Sequence, residues 1–250
     1  MGDSGAARRF DRQIRFLQAR LSPEGYLGLH LTVGMVLIIL TCWGFSEIAE
    51  DFSRAGWLAA MDERALLFSH QHATPALTQM MRAVTFLGSV GFVSAVALCI
   101  AVVLAVRRSF YNFLTFVLTM MGGSCLNIFL KHLFHRQRPI LEDPLVTLTS
   151  YGFPSGHTMG TTMLCGCLAI FAASAIRTRQ AGLWPFVLAT VWTAIIGASR
   201  IYLGAHYFTD VIGACCAGVA WLTFCWTAVE TLRRWRERHA LRSARQEASS

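Results

Sequence analysis

Two polar side chains near the carboxyl end of the sequence have the types and the spacing of a nucleophile and its supporting carboxylate. His206 and Asp210 are four residues apart, so they lie one turn apart on a single face if a helix begins here. A carboxylate beside an imidazole fixes the tautomer of the ring and stabilises its developing positive charge. The spacing therefore predicts a nucleophilic His206 whose second ring nitrogen faces a phosphorus atom. A helix-capping aspartate beside an interfacial histidine is the alternative explanation.

The segment Pro154-Ser155-Gly156-His157 is suited to binding an anion. Ser155 fits the N-cap position of a helix, and Gly156 allows the backbone to approach a ligand closely. The free N–H groups and the positive end of the helix dipole would then face a phosphate. His157, in the first turn, is positioned to donate a proton to a leaving oxygen. An ordinary Pro-Ser-Gly turn is the alternative for this segment taken alone.

Three cations belong to the same set of motifs. Lys131 and Arg138 form the pattern Lys131-x6-Arg138-Pro139, and Arg200 follows Ser199. Lys131 is the only lysine in the chain, which suggests that a compact, flexible ammonium group is needed there rather than a planar guanidinium. The three cations would offset the charge of a phosphate dianion and of an in-line transition state. A positively charged loop without a ligand is the alternative.

Carboxylates are scarce near these motifs, which bears on metal binding. They are Glu142, Asp143 and Asp210, and Asp210 is already assigned to His206. Because no set of carboxylates is spaced to hold two metal ions, the sequence predicts a reaction without a metal and without a cofactor. The eight cysteines all fall in apolar blocks, where cysteine behaves as a small hydrophobic residue rather than as a metal ligand.

The elements that must position these residues are membrane helices. Hydrophobic residues make up 54% of the chain and charged residues 14%, against about 25% charged in an ordinary globular domain. A bilayer core needs about 20 apolar helical residues. The sequence therefore predicts an all-α, polytopic membrane protein with a bundle of six transmembrane helices. The predicted spans are Leu27–Phe45, Val84–Val106, Phe110–Leu130, Thr158–Ile176, Leu183–Leu203 and Tyr207–Val229.

The distribution of basic residues predicts the orientation. Fifteen of them fall on the side that holds both termini and seven on the other side, so the positive-inside rule makes the termini cytoplasmic. The predicted organisation is a six-span domain over 27–229 between basic cytoplasmic tails at 1–26 and 230–250, in the plasma (inner) membrane. All three motifs then lie on the extracytoplasmic face. The net charge of +8 is assigned to contact with lipid headgroups, not to nucleic acid.

The segment between the first two spans, residues 47–82, is too long for a simple turn and has an amphipathic pattern. Two interpretations remain open. It lies along the outer leaflet and shapes the access of lipids, or it is a structural cover.

Together the motifs resemble the type 2 phosphatidic acid phosphatase superfamily, whose patterns are K-x6-RP, PSGH and SR-x5-H-x3-D. The sequence matches every position of these patterns. The resemblance implies an all-helical membrane bundle in which His206 forms a phosphohistidine, Asp210 orients it and His157 protonates the leaving lipid oxygen. The residues that it implies for phosphate binding are Lys131, Arg138, Ser155, Gly156 and Arg200.

The function predicted on these grounds is hydrolysis of a phosphorylated lipid by an integral-membrane phosphatase. The candidate substrates are phosphatidate, phosphatidylglycerophosphate and undecaprenyl diphosphate. One alternative is a lipid phosphotransferase that uses the same site with an acceptor other than water. Another is a non-catalytic membrane transporter or structural protein.

The single lysine gives a first testable prediction. Lys131→Arg keeps the charge but replaces a compact ammonium group with a planar fork, so we expect phosphate release from a lipid phosphate to fall at least about tenfold, or about 1.4 kcal/mol. Arg64→Lys, an exchange outside the motifs, is the control and should leave the rate unchanged. A fully active Lys131→Arg variant would show that the choice of lysine has no catalytic meaning.

Overall fold

The computed structural model describes residues 28–54, 56–140, 150–176, 178 and 180–247. Every regular element in these ranges is helical, which confirms the predicted all-α class. The helices are α1 Leu29–Ser53, α2 Trp57–Gln71, α3 Pro75–Phe86, α4 Val90–Val106, α5 Phe110–Val117, α6 Gly123–Phe134, α7 Gly156–Ala175, α8 Trp184–Tyr202 and α9 Phe208–Glu247. A π-helical turn, Leu118–Gly122, joins α5 to α6, and a 3-10 turn, Ala181–Leu183, precedes α8.

Six stretches of helix in the described residues are long and apolar enough to cross a membrane, as the sequence predicts. They are Leu29–Phe52, Pro75–Val106, Phe110–Phe134, Gly156–Ala175, Ala181–Tyr202 and Phe208–Leu241. The second begins at Pro75 rather than at Val84, because α3 and α4 follow each other with only a short break. Local capping sets both starts: the hydroxyl of Thr74 accepts from the backbone N–H of Leu77, and that of Ser89 from Phe92.

The structure describes most of the predicted carboxyl-terminal tail and none of the predicted amino-terminal tail. Residues 1–26 lie outside the described residues, so the amino-terminal tail stays a prediction. On the other side, α9 does not end at residue 229 but continues to Glu247. Its basic carboxyl-terminal part is therefore a direct extension of the sixth span, at the end of α9 far from Asp210.

The core of the bundle lies between α7 and α9. Met159, Met163 and Cys167 of α7 and Ala214 of α9 are almost fully buried there, together with Phe116 of α5. By contrast, α1 and α4 expose large aliphatic and aromatic side chains around much of their surface. This distribution is expected for helices whose outer faces contact lipid.

A second, aromatic cluster supports the segment just before α7. The ring of Phe153, which is fully buried, packs against the rings of Phe45, Phe52 and Phe134 at centroid distances of 5.2, 5.0 and 5.2 Å. Gly213 of α9 lies directly beneath it, since a Cβ at this position would be 2.5 Å from the Phe153 ring. The absence of a side chain at 213 lets α9 pack closely against the segment that begins the second motif.

This close approach predicts a difference between two glycines. Gly213→Ala forces the Phe153 ring out of its cluster, so we expect a loss of about 1–3 kcal/mol and a lower midpoint of thermal unfolding in detergent. Gly91→Ala in α4 is the matched control, because nothing lies within 4 Å of its Cβ. The control should unfold at the wild-type temperature or slightly above it. Equal midpoints for the two variants would contradict this packing.

Candidate active site

The predicted site residues meet at one end of the bundle, although they are far apart in the sequence. Arg138, in the segment after α6, lies 3.0 Å from His206, measured from Nη1 to Nε2. The backbone N–H of Ser155, just before α7, donates to the backbone carbonyl of Asp210 in α9 at 3.1 Å. Arg200 reaches the same region from the last turn of α8. The ends of four helices thus contribute to a single cluster.

The imidazole of His206 and the carboxylate of Asp210 form the centre of this cluster. Nδ1 of His206 lies 3.2 Å from Oδ2 of Asp210, and both side chains are buried. The same carboxylate oxygen accepts the backbone N–H of Tyr207 at 3.0 Å. Because Nδ1 faces a carboxylate and Nε2 faces the guanidinium of Arg138, the hydrogen-bond network assigns the proton to Nδ1 and the lone pair to Nε2.

The environment keeps this imidazole neutral. Burial lowers the pKa of His206 to about 4, although the hydrogen bond and charge of Asp210 act in the opposite direction. The positive charges of Arg138 and Arg200 lower the pKa further. The lone pair on Nε2 is therefore free of a proton at neutral pH, as nucleophilic attack requires.

Two of the predicted phosphate-binding cations are held by uncharged oxygens. Nζ of Lys131 donates to the backbone carbonyl of Tyr151 at 2.6 Å. Arg138 donates to the carbonyls of Ser150 and Ala205, each at 2.6 Å, and burial lowers its pKa. Within the described part of the chain, neither side chain pairs with a carboxylate. Their orientation is therefore fixed without neutralisation of their charge.

Arg200 has an unused donor. Its side chain is almost fully buried, and Nη1 donates to the hydroxyl of Thr85 at 2.9 Å. Nε of the same guanidinium has no hydrogen-bond partner among the described residues. A buried donor left unsatisfied costs about 1–3 kcal/mol, and more for a charged group. A bound anion would remove this cost.

The start of α7 differs in one detail from the prediction. Ser155 does occupy the N-cap position, but its hydroxyl accepts a hydrogen bond from Thr158 Oγ1 at 3.1 Å and makes no capping bond to the helix backbone. No side chain among the described residues therefore caps the first turn of α7, which suits an anion site. Gly156 lies against Asn127, whose Oδ1 would be 3.2 Å from an added Cβ.

His157 follows on the first turn of α7 and is half-buried. It lies within electrostatic range of His206 and of all three predicted phosphate-binding cations. This position suits a group that exchanges a proton with a leaving oxygen near the phosphate.

Two residues of the site were missed by sequence reasoning. Arg136 donates from Nη1 to Oδ1 of Asp210 at 2.6 Å, and from Nη2 to Oδ2 of Asp62 at 2.7 Å. The expectation that Asp210 is accompanied only by Glu142 and Asp143 is thus wrong, because α2 brings Asp62 to the site. Glu142 and Asp143 lie outside the described residues.

A signal for Asp62 was present in the sequence. Leu58, Asp62 and Leu66 recur every four residues, so the carboxylate falls in the middle of the apolar face of α2. Leu66 is buried and Leu58 packs on the aromatic cluster. An acidic residue within a buried stripe requires a partner.

No group of three or more His, Cys, Asp or Glu side chains in the described residues is arranged to hold a metal ion. Independence from metal is a property of the reaction and stays a prediction.

The six candidate spans indicate a polytopic membrane protein, and its three motifs meet at one end of the helix bundle. The sequence model of the PAP2 superfamily matches residues 112–234, a range that contains all three motifs. The resemblance stated from the motifs is thereby confirmed.

Two similar proteins and one similar crystal structure come from Bacillus subtilis. Phosphatidylglycerophosphatase B of strain 168 is 28% identical over 165 residues, which cover 66% of this chain and 81% of that protein. Undecaprenyl-diphosphatase BcrC of the same strain is 33% identical over 101 residues, covering 39% of this chain and 47% of that protein. The crystal structure of a transmembrane PAP2-type phosphatidylglycerolphosphate phosphatase superposes with a TM-score of 0.65 at 25% identity, covering 77% of this chain and 93% of that one.

Proposed function

We propose that this protein is an integral-membrane phosphatase that hydrolyses a phosphomonoester or diphosphate lipid through a phosphohistidine on His206. The observation that carries the proposal is the environment of that imidazole. Its Nδ1 is held by a buried carboxylate, and its Nε2 faces Arg138, which pairs with no carboxylate among the described residues. A neutral ring with a directed lone pair beside a positive charge suits nucleophilic attack on phosphorus.

In the first step, Nε2 of His206 forms a bond to phosphorus while the bond from phosphorus to the lipid oxygen breaks. His157, in its protonated form beside the bound phosphate dianion, donates a proton to that leaving oxygen. Asp210 accepts the Nδ1–H hydrogen bond and stabilises the positive charge that develops on the ring. The phosphoryl oxygens are bound by Lys131, Arg138 and Arg200 and by the backbone at Ser155 and Gly156.

In the second step, a water molecule attacks the phosphohistidine. His157, now lacking its proton, takes one from the water, while the bond between phosphorus and Nε2 breaks and the electron pair returns to the ring. Inorganic phosphate leaves and the site regains its starting protonation. The same two steps apply to a diphosphate lipid, where the leaving group of the first step is a lipid monophosphate.

An apolar cavity beside the site supports a lipid substrate. It has a volume of about 540 Å³ and lies between α4, the third span and α7. Asn127 and Gly156 form part of its wall, so the cavity adjoins the second motif directly. A hydrocarbon chain in this cavity would place its phosphate at the motifs. A larger cavity, of about 970 Å³, lies at the opposite end of the third span and includes no residue of the three motifs.

The names of similar proteins support two of the three candidate substrates, phosphatidylglycerophosphate and undecaprenyl diphosphate. We propose these two lipids and keep phosphatidate, which the motif resemblance implies. Diversion of the phosphoryl group to an alcohol, as in a lipid phosphotransferase, uses the same site and differs only in the acceptor of the second step. A purely structural or transport role leaves the unused donor of Arg200 without a purpose.

We also propose that the motif end of the bundle faces the outside of the cell and that both termini are cytoplasmic. The arginines of the α9 extension lie at the opposite end from His206, and the positive-inside rule assigns that end to the cytoplasm. In this arrangement residues 27–229 carry the six-span phosphatase domain, and the segments 1–26 and 230–250 contact the inner leaflet.

The test is phosphate release by detergent-purified protein from a panel of the three lipids, without an added acceptor. We expect turnover of at least one lipid, and we expect His206→Ala to lower it to about 1% or less, a loss of roughly 2.7 kcal/mol or more. His70→Ala, at an exposed histidine of α2, is the matched control. A labelled phosphoryl group retained on the wild-type protein, stable to base and labile to acid, would identify the phosphohistidine.

The outcomes separate the functions. Activity of His206→Ala above a few per cent of wild type would overturn the nucleophile. Transfer to an added alcohol with no release to water would establish the phosphotransferase. The absence of both reactions would favour a non-catalytic role.

Metal independence is tested separately. The cations of the site are side chains, so we expect the rate of phosphate release to be unchanged by excess EDTA. The control is re-addition of Mg²⁺ to the chelated protein, which should also leave the rate unaltered. An EDTA-inactivated enzyme that regains activity with Mg²⁺ would require a metal in the mechanism.

A further inference from the structure

We propose that Asp62 and Arg136 are positioning residues of the reaction: Asp62 holds Arg136, and Arg136 fixes the carboxylate that orients His206. The inference rests on the proposed function, since it concerns the same nucleophile. It assigns a role to α2, the segment for which the sequence left two interpretations open. Asp62 lies outside the three motifs, and Arg136 occupies an unspecified position within the first motif. Neither residue is required to touch phosphate.

The guanidinium of Arg136 is fixed on all sides. Its Cζ lies 4.4 Å from the centroid of the Phe52 ring and 4.7 Å from that of Tyr207. Nη1 donates to Oδ1 of Asp210 at 2.6 Å and to the hydroxyl of Thr209 at 2.7 Å, and Nη2 donates to Asp62 at 2.7 Å. Aromatic contacts with the guanidinium and charge-assisted bonds in its plane leave the group one orientation.

Asp62 accepts the hydrogen bond from the other terminal nitrogen of Arg136, Nη2. Its side chain is 2% exposed, and Oδ1 accepts the backbone N–H of Thr209 in the first turn of α9 at 2.8 Å. Oδ2 accepts both the Thr209 hydroxyl, at 2.5 Å, and Nη2 of Arg136. A single carboxylate from α2 thereby caps α9 and fixes the cation that contacts Asp210.

The consequence for His206 follows from the two oxygens of Asp210. Oδ1 binds Arg136, while Oδ2 binds Nδ1 of His206 and the backbone N–H of Tyr207. Because Asp210 is fully buried, loss of Arg136 leaves Oδ1 unpaired and the charge of the carboxylate unbalanced, and the orientation of the carboxylate is then held only by the bonds of Oδ2. Arg136 therefore acts on the reaction through Asp210.

The two arginines on opposite sides of the His206 imidazole have different roles. Arg138 lies at Nε2, the side of the reacting phosphorus, and Arg136 lies behind Asp210. The titratable groups that face the pair of His206 and Asp210 are Asp62 from α2, Lys131, Arg136 and Arg138 from α6 and the segment after it, His157 from α7, Arg200 from α8 and Tyr207 before α9. Of the arginines in this set, Arg136 is the one paired with carboxylates within the described residues.

The experiment compares Arg136→Gln, Arg136→Lys and Asp62→Asn in purified protein. Glu63→Gln and Arg64→Gln, at exposed neighbours of Asp62 on α2, are the matched controls. Each variant is measured for kcat and KM with a lipid phosphate between pH 4 and 9. Thermal unfolding in detergent shows that each variant is folded. The protonation of His206 is followed independently of turnover by ¹⁵N-histidine NMR, with its signals assigned from their loss in His206→Ala.

We expect Arg136→Gln to lower kcat by about 10- to 100-fold with little change in KM. The same range applies in metalloenzymes when a hydrogen-bond partner that orients a metal-ligating histidine is removed. Removal of this cation strengthens the effect of the Asp210 charge on the ring, so the pKa of His206 rises from about 4. The acid limb of the rate profile moves to higher pH, since His206 is protonated and inactive over a wider range. Substrate ionisation is common to both proteins and cancels in this comparison.

The other variants separate charge from geometry. Arg136→Lys keeps the charge but makes fewer bonds, so we expect a lower kcat with an acid limb close to that of wild type. In Asp62→Asn the amide oxygen still accepts from Thr209, but the ion pair with Arg136 is lost. Because Asp62 acts through Arg136, we expect the double variant Asp62→Asn/Arg136→Gln to be no slower than Arg136→Gln alone.

Several results would overturn the proposal. One is a kcat within about twofold of wild type for both Arg136→Gln and Asp62→Asn. Another is a loss of kcat that follows a loss of thermal stability, with the titration of His206 unmoved, because that pattern indicates a purely structural ion pair. If Arg136→Gln does not fold, the kcat values, thermal stabilities and His206 titrations of Arg136→Lys and Asp62→Asn test the proposal by the same criteria. If wild-type protein turns over no lipid, the proposed function fails, while the NMR titration still tests the positioning role.

Discussion

The buried carboxylate of Asp210 is the group on which this end of the molecule depends. A fully buried charge must be paired, and breaking such a pair costs about 3–5 kcal/mol. Asp210 takes its partners from three places: His206 and the Tyr207 backbone before α9, Arg136 after α6 and, through Arg136, Asp62 of α2. The interactions that hold these elements together are therefore the same interactions that orient the imidazole.

The arginines at this end of the bundle illustrate how one side-chain type serves two purposes. Arg136 is neutralised by two carboxylates and belongs to the framework. Arg138 is held by backbone carbonyls, and Arg200 by a threonine hydroxyl. Dipoles orient a guanidinium without cancelling its charge, and no carboxylate among the described residues pairs with Arg138 or Arg200. In the function that we propose, their charge is available for an anion. This separation allows a strongly positive site to exist beside a stable ion-pair network.

The site also lies where polar and apolar surroundings meet. The start of α7 is shared by the end of the bundle where the motifs meet and by the apolar cavity that reaches between α4 and the third span. In the function that we propose, a phosphorylated lipid has its two chemical halves matched by these two neighbouring regions. At Gly156 and Gly213 the backbone lies close to Asn127 and Phe153, since an added Cβ would be 3.2 and 2.5 Å from these side chains.

The sequence by itself determined the all-α class, the six spans and the residues of the three motifs. Each of these features depends on residues that are near one another in the sequence: apolar blocks of membrane length, or residues a fixed distance apart. Only the tertiary structure decided that α3 extends the second span to Pro75, that the Ser155 hydroxyl binds Thr158, and that Asp62 meets Arg136. The last two residues are 74 positions apart. Such contacts depend on how helices pack against one another, and spacing along the chain carries no record of that packing.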